Sequence, residues 1–151
     1  MPGMATGKSH AAGPLAAALA RLKIHKLKIT EPRRAILEVL SADHGPFTAE
    51  EIHERVLTKS CDLTTVYRAT AQLEQVGLLR RCEFGDRMAR YELADTHHHH
   101  HHLICTCCRR VETLDDCDLQ DLDRVAQKRG YLGVRHTLEF YGVCPDCAQR
   151  G

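Results

Sequence analysis

The chain has 151 residues, 43% hydrophobic and 27% charged, which is the balance of a globular protein and not of a disordered or fibrous one. No apolar run approaches the roughly 20 residues of a membrane-spanning helix, and the start lacks the continuous apolar core of a secretory signal, so the cytoplasm is the expected compartment. Net charge is only +1, but residues 1–40 carry seven Lys or Arg (Lys8, Arg21, Lys23, Lys26, Lys28, Arg33 and Arg34) against Glu31 and Glu38, whereas residues 97–151 carry seven basic and eight acidic side chains; a polyanion would meet the front end.

Residues 1–13 are small, polar and without an apolar period, and are expected to form a flexible tail. From Leu15, LAAALARLKIHKLK reads as a helix with a basic side. Thr30 and Pro32 supply the N-cap and first-turn proline of a second helix, whose stripe is Ile36, Leu37 and Leu40, and Gly45 and Pro46 end that segment. Thr48 followed by Glu51 is a capping box that starts a third helix with Ile52 and Val56 on its inner face. Asp62 caps a fourth, LTTVYRATAQLEQVG, closed by Gly77. On that helix Val66, Ala69, Thr70 and Leu73 share one arc, and Thr64, Thr65, Tyr67, Arg68, Ala71 and Gln72 the other. Tyr, Arg, Thr and Gln together suit phosphates and base edges.

Next, LLRRCEF and RMARYEL flank Gly85 and Asp86 as a hairpin, which completes a winged helix-turn-helix by analogy with such motifs. The remainder opens with six histidines, continues through LICTCC and RRVETL as short strands and a helix near Leu119 to Lys128, and ends in the strand-like VRHTLEFYGV and CPDC. The expected architecture is α+β: a tail over 1–13, a winged-helix domain over 14–92, a hinge over 93–97, and a small metal-binding domain over 98–151. No internal repeat is visible.

Cys105 and Cys108 form one C-x-x-C pair, and Cys144 and Cys147 another, 35 residues further on. Eight cysteines in a cytosolic chain point to metal ligation and not to disulfides, and four paired thiolates complete a closed tetrahedral zinc site. A redox pair at Cys144 and Cys147 would require a following strand and helix of thioredoxin type, which is missing. Cys107 is a bystander. In an extended histidine run His98, His100 and His102 project one way and His97, His99 and His101 the other, so one strand can feed two metal sites. Glu92, before the hinge, and His136 are the candidate ligands from elsewhere; an ion held by Glu92 and the run would fix the angle between the two halves. Histidines 10, 25, 44 and 53 read as ordinary surface or packing residues. Histidine count does not name the metal.

The segments LKITEPRRAILEVL, FTAEEIHERV, DLTTVYRATAQLEQVGLL, GDRMARYEL, HHHHLICTCC and HTLEFYGVCPDC resemble, in order and spacing, the ferric uptake regulator (Fur) family over roughly residues 15–148. The resemblance implies a homodimeric, metal-responsive repressor that binds an AT-rich double-stranded operator and is not an enzyme. It makes Tyr67 and Arg68 recognition-helix contacts, with Lys28, Arg33, Thr64 and Thr65 joining the DNA-facing set. Cys105, Cys108, Cys144 and Cys147 match structural zinc ligands. Glu92, His100 and His102 resemble the interdomain sensory site, for zinc or ferrous iron, and His99, His101 and His136 a second site. Neither a membrane nor a small organic substrate is implied as a partner.

Three departures stand out. Pro46 and Phe47 occupy the place where iron and peroxide sensors carry a histidine, His101 replaces the aspartate common in iron sensors, and the glutamate of the second site falls on Leu119 or Gln120, leaving Asp118 or Asp121 to substitute. Cys82 and Asp86, on the wing, are alternative candidates as surrogate sensory ligands. A peroxide-responsive regulator, a histidine-rich metal buffer and a thiol redox enzyme are the alternative readings.

Overall fold

The computed structural model describes residues 13–43, 45–56, 61–94, 100–114 and 120–151. Most of the expected tail, residues 95–97 of the expected hinge, and His10, His44, His97, His98, His99, Cys117, Asp118 and Leu119 lie outside them.

Local capping chemistry sets the helices of the first half. Helix α1 (Pro14–Ile24) begins on a first-turn proline and ends four residues before the predicted limit, where Lys26 takes a left-handed φ of 55°. In α2 (Glu31–Ala42) the Thr30 hydroxyl accepts from the Arg33 amide. In α3 (Ala49–Arg55) both arms of the capping box are made: Thr48 N–H donates to Glu51 Oε2 at 2.8 Å, and Glu51 N–H to Thr48 Oγ1 at 3.2 Å. Asp62 accepts from the Thr65 amide at 2.7 Å to start α4 (Leu63–Gln75). This helix closes through Gly77 at φ 71°, with Gly77 N–H donating to Glu74 O and Leu78 N–H to Leu73 O, both at 2.8 Å, the paired bonds of a Schellman stop.

The apolar arcs of these helices meet in one core. Leu22, Ile36, Leu37, Leu40, Ile52, Val66, Leu73 and Leu78 have no exposed surface, and each such side chain contributes about 1.5–3 kcal/mol by leaving water. The wing closes the core: β1 (Phe47–Thr48), β2 (Leu79–Cys82) and β3 (Arg90–Leu93) form an antiparallel sheet in the order β1-β3-β2. The expected hairpin is β2–β3. Strand β1 was not expected, since Gly45 and Pro46 read as an end; two residues carry too little pattern to show, and pairing of Phe47 with Tyr91 and Thr48 with Arg90 makes the strand. Arg21 of α1 ties the exit of the wing, donating to the Ala94 carbonyl at 2.9 Å.

The second half is a smaller sheet. Strand β4 (His101–Cys105) is central, antiparallel to β5 (Val111–Leu114) and parallel to β6 (Glu139–Gly142); α5 (Gln120–Lys128) and α6 (Pro145–Ala148) complete it. β4 begins inside the histidine run, and the expected strand over 134–143 is limited to β6, with His136 in irregular chain before it. Among the described residues of this half only His101, His102, Ile104 and Cys105 are buried. That is a small core for a sheet, and metal ligation is the usual supplement.

Candidate functional site

Three groups of side chains stand where the folding places them for chemistry. The first is a four-thiol cluster. Cys105 ends β4 and Cys108 lies in the turn after it, while Cys144 is the N-cap of α6 and Cys147 lies within that helix; parallel pairing of Cys105 with Gly142 brings the two C-x-x-C pairs together. Their sulfurs lie within 4.8 Å of one another, with Cys108 and Cys144 Sγ 3.8 Å apart. Ligands about 2.3 Å from a tetrahedral zinc stand about 3.8 Å apart, so the cluster has the dimensions of a structural zinc site. The amides of Cys144 at 3.3 Å and Cys108 at 3.5 Å donate to Cys105 Sγ and bring that thiol down to about 6. Hydrogen bonds with Cys144 and Cys108, and then burial, push Cys147 well up, because each favours the protonated thiol over the thiolate. Cys107 is exposed and outside the cluster.

The second group lies between the two sheets. Glu92, on β3, is fully buried, and its Oε2 stands 2.9 Å from His102 Nε2 on β4. Burial alone would raise the Glu92 carboxyl; the His102 hydrogen bond and the charges of Arg80 and His102 outweigh it and hold the group below its ordinary value, so it is a carboxylate. Arg80 clamps the other oxygen, donating from Nε at 2.7 Å and again from its terminal nitrogen. Of the predicted sensory trio, then, Glu92 and His102 meet, while the third metal-capable atom in reach is the sulfur of Cys82 and not His100. Burial first, then Glu92, pushes the Cys82 thiol up to about 12. The Phe84 ring covers His102 at 5.1 Å. Asp86, the other wing surrogate, instead makes a bidentate pair with Arg90 at 2.7 and 3.1 Å.

On the opposite face of β4, as strand alternation requires, His101 meets His136, with their Nε2 atoms 3.4 Å apart. Two nitrogens about 2.0–2.1 Å from one tetrahedral ion stand about 3.3–3.4 Å apart, so this pair also has metal-ligand spacing. Among the described residues the carboxylate here is Asp123, 2.8 Å from His136 Nδ1. Sequence reasoning missed it. The helical phase of α5 aims Asp123 at His136, while Asp121 pairs with Arg124 at 3.0 Å. A carboxylate on the far nitrogen fixes the ring for ligation through the near one.

Apart from these three groups stands the outer face of α4. Val66, Ala69, Thr70 and Leu73 are buried, and Thr64, Tyr67, Arg68, Ala71 and Gln72 are exposed, with Thr65 between. The Tyr67 hydroxyl donates to the Glu50 carboxylate of α3, which keeps that acid ionised. Arg33 bridges the Lys28 carbonyl at 2.7 Å and Gln72 Oε1 at 2.6 Å, while the Lys28 side chain is exposed. Glu50 and Gln72 therefore hold Tyr67 and Arg33, two of the candidate DNA contacts named from the sequence. No helix of the described residues is long and apolar enough to cross a membrane.

Comparison with known proteins points to one family. The family model described as the ferric uptake regulator family matches residues 25–141. The ferric uptake regulation protein of Neisseria meningitidis is 36% identical over 137 residues, covering 88% of this chain and 94% of its own length. That of Cupriavidus metallidurans is 39% identical over 137 residues, covering 87% and 95%. Among solved structures, the Helicobacter pylori ferric uptake regulator, described as having three functional metal binding sites, is 25% identical with a TM-score of 0.72 over 89% of this chain and 93% of its own. The Vibrio cholerae regulator is 34% identical with a TM-score of 0.68 over 83% and 98%. A zinc-bound manganese uptake regulator is 29% identical with a TM-score of 0.68 over 84% and 98%.

Proposed function

Since the chain belongs to the ferric uptake regulator family, and so is a metal-responsive transcription regulator and not an enzyme, we propose that it is a cytoplasmic homodimer that grips double-stranded operator DNA when a regulatory zinc or ferrous ion joins its two halves. The observation that carries this is the 2.9 Å meeting of Glu92, from the wing, with His102, from the second sheet. These residues belong to the two units proposed here, a winged helix over 14–92 and a metal-binding dimerisation unit over 98–151, with the hinge over 93–97 between them.

When bound, a divalent ion supplies a bond between wing and C-terminal sheet. Glu92, already ionised and oriented by Arg80, and His102, oriented by Phe84, offer their facing atoms to it; His100, next on the same side of the run, is the proposed further ligand. Accommodating an ion requires the Glu92–His102 pair to open by about 0.4–0.5 Å, since ligands on one ion stand farther apart than hydrogen-bond partners. The gain is a restricted set of angles between the winged heads, which favours the spacing of two operator half-sites. Coupling of about 1–3 kcal/mol changes operator affinity by about 5–150-fold.

Cys105, Cys108, Cys144 and Cys147 hold structural zinc in this reading, and His101 and His136, with His99, a second ion. Lys28, Arg33, Thr64, Thr65, Tyr67 and Arg68 face the duplex, Arg68 and Lys28 toward phosphate and Tyr67 toward base edges. The dimer is supported by Leu103 and Phe140, apolar, exposed and in register on neighbouring strands β4 and β6, a strip that a two-fold copy can cover. The test is operator binding, on duplexes selected by metal-loaded protein, measured with and without zinc and ferrous iron. Metal-dependent retention that falls with salt supports the proposal; protection of no duplex under any metal condition sinks it.

A further inference from the structure

We propose that Cys82, on the wing strand β2, is a ligand of the regulatory ion and that its sulfur tunes the site to zinc over iron and manganese. The inference rests on the reading of Glu92 and His102 as the regulatory centre and names the side chain that sets its selectivity.

The register of the wing puts Cys82 there. In the β2–β3 pair Arg80 lies opposite Glu92, and Cys82 opposite Arg90. Cys82 is thus the diagonal neighbour of Glu92 on the same face, near enough for the two side chains to share a target. His102 enters from β4, and the sulfur, carboxylate oxygen and imidazole nitrogen all lie within 4.8 Å of one another. The pocket is built for such a set: the side chains of Glu92 and His102 are 1% and 4% exposed, the Phe84 ring packs against the imidazole, and Arg80 takes Oε1, leaving Oε2 toward His102.

Donor chemistry then points to zinc. A site of one sulfur, one nitrogen and one oxygen suits a tetrahedral ion that accepts thiolate, whereas manganese favours harder oxygen donors. Two of the three ligands sit on the wing, so the ion is seated chiefly on the DNA-reading half and recruits His102 from the other. On binding, the Cys82 S–H bond breaks, the sulfur lone pair bonds to the ion and the proton passes to solvent; nothing is oxidised or reduced.

The test is a cobalt titration of full-length protein that keeps its structural zinc, verified by metal analysis at each point. Wild type is expected to develop thiolate-to-cobalt charge-transfer absorption in the near ultraviolet together with tetrahedral visible bands. Cys82→Ser should lose the charge-transfer absorption and bind zinc about 100-fold more weakly, at the upper end of what even outer-shell partners cost. Cys82→His should recover affinity without that absorption and shift preference toward ferrous iron. As a check independent of any variant, zinc should protect Cys82 of the wild type from alkylation, mapped by mass spectrometry. An unchanged cobalt spectrum in Cys82→Ser, or equal alkylation of Cys82 with and without zinc, overturns the inference. Glu92→Gln and His102→Ala separate the two levels: if they remove one equivalent of bound cobalt, apart from that of the His101–His136 pair, while Cys82→Ser does not, only the role of Cys82 fails, and if they too leave the full complement bound, the regulatory centre has been misplaced.

Discussion

Replacing Cys108 by serine should release the second sheet while leaving the winged half folded. The two halves are held differently. The winged half buries eight large aliphatic side chains completely, from Leu22 to Leu78, whereas Ile104 is the only large aliphatic side chain buried among the described residues of the second sheet. Full burial of one such side chain stabilises by about 1.5–3 kcal/mol, and a structural zinc contributes about 10–16 kcal/mol of apparent binding free energy in small domains. One ligand of four represents on the order of a quarter of that, about 3–4 kcal/mol, as much as the apolar core of this sheet can offer. Hydrogen exchange read by mass spectrometry checks it region by region. The peptides of β4, β5 and β6 should lose protection in Cys108→Ser and in chelator-stripped wild type, with those of α2 and α4 unchanged. Retained protection of β4 to β6 in a variant shown by metal analysis to lack zinc would refute the reasoning.

Three further outcomes follow from the geometry. Leu37, fully buried, should cost about 2–5 kcal/mol when cut to alanine, whereas Leu132, 95% exposed, should change stability by no more than about 0.5 kcal/mol; urea melts compare the two. Arg68→Ala should lower operator affinity on all sequences and reduce the slope of log affinity against log salt by about 1, whereas Tyr67→Phe, which removes the hydroxyl oriented by Glu50, should leave that slope unaltered and change sequence preference. The Asp86 carboxyl is held down at about 2, against an ordinary 3.8, chiefly by the Arg90 hydrogen bond. Because the folded value is the lower one, the stabilisation is complete above the unfolded value and is lost as pH falls from about 4 toward about 2. Asp86→Asn should therefore cost about 1–2 kcal/mol at neutral pH, less than a fully buried charged pair because the wing borders solvent, and the difference from wild type should vanish across that window in denaturant melts.

What could be read from the sequence was what is decided locally or by simple period. Thr30, Thr48 with Glu51, Asp62 and Gly77 act within one turn of their own helix, so the start or stop each marks lies where expected. Alternation along the histidine run likewise separated His102, facing Glu92, from His101, facing His136. The two C-x-x-C pairs announced their cluster because the spacing itself is the chemistry. What was missed depends on partners far along the chain. Strand β1 exists through Tyr91 and Arg90. Asp123 was not singled out because Asp121 and Asp123 share one helix and only its phase decides which of the two meets His136. Cys82 was named as an alternative ligand, but its place beside Glu92 follows from hairpin register, which the sequence suggested without fixing. The holds of Glu50 on Tyr67 and of Arg33 on Gln72 are contacts between helices that no periodicity encodes.

The most direct measurement of the interdomain switch is operator affinity of wild type, Glu92→Gln and His102→Ala, each titrated with zinc and with ferrous iron while structural zinc content is verified. The expected result is metal-dependent tightening in the wild type and none in either variant, with all three proteins alike when no regulatory metal is added. Variants that tighten on DNA with metal as the wild type does would show that the ion governing the winged heads sits elsewhere.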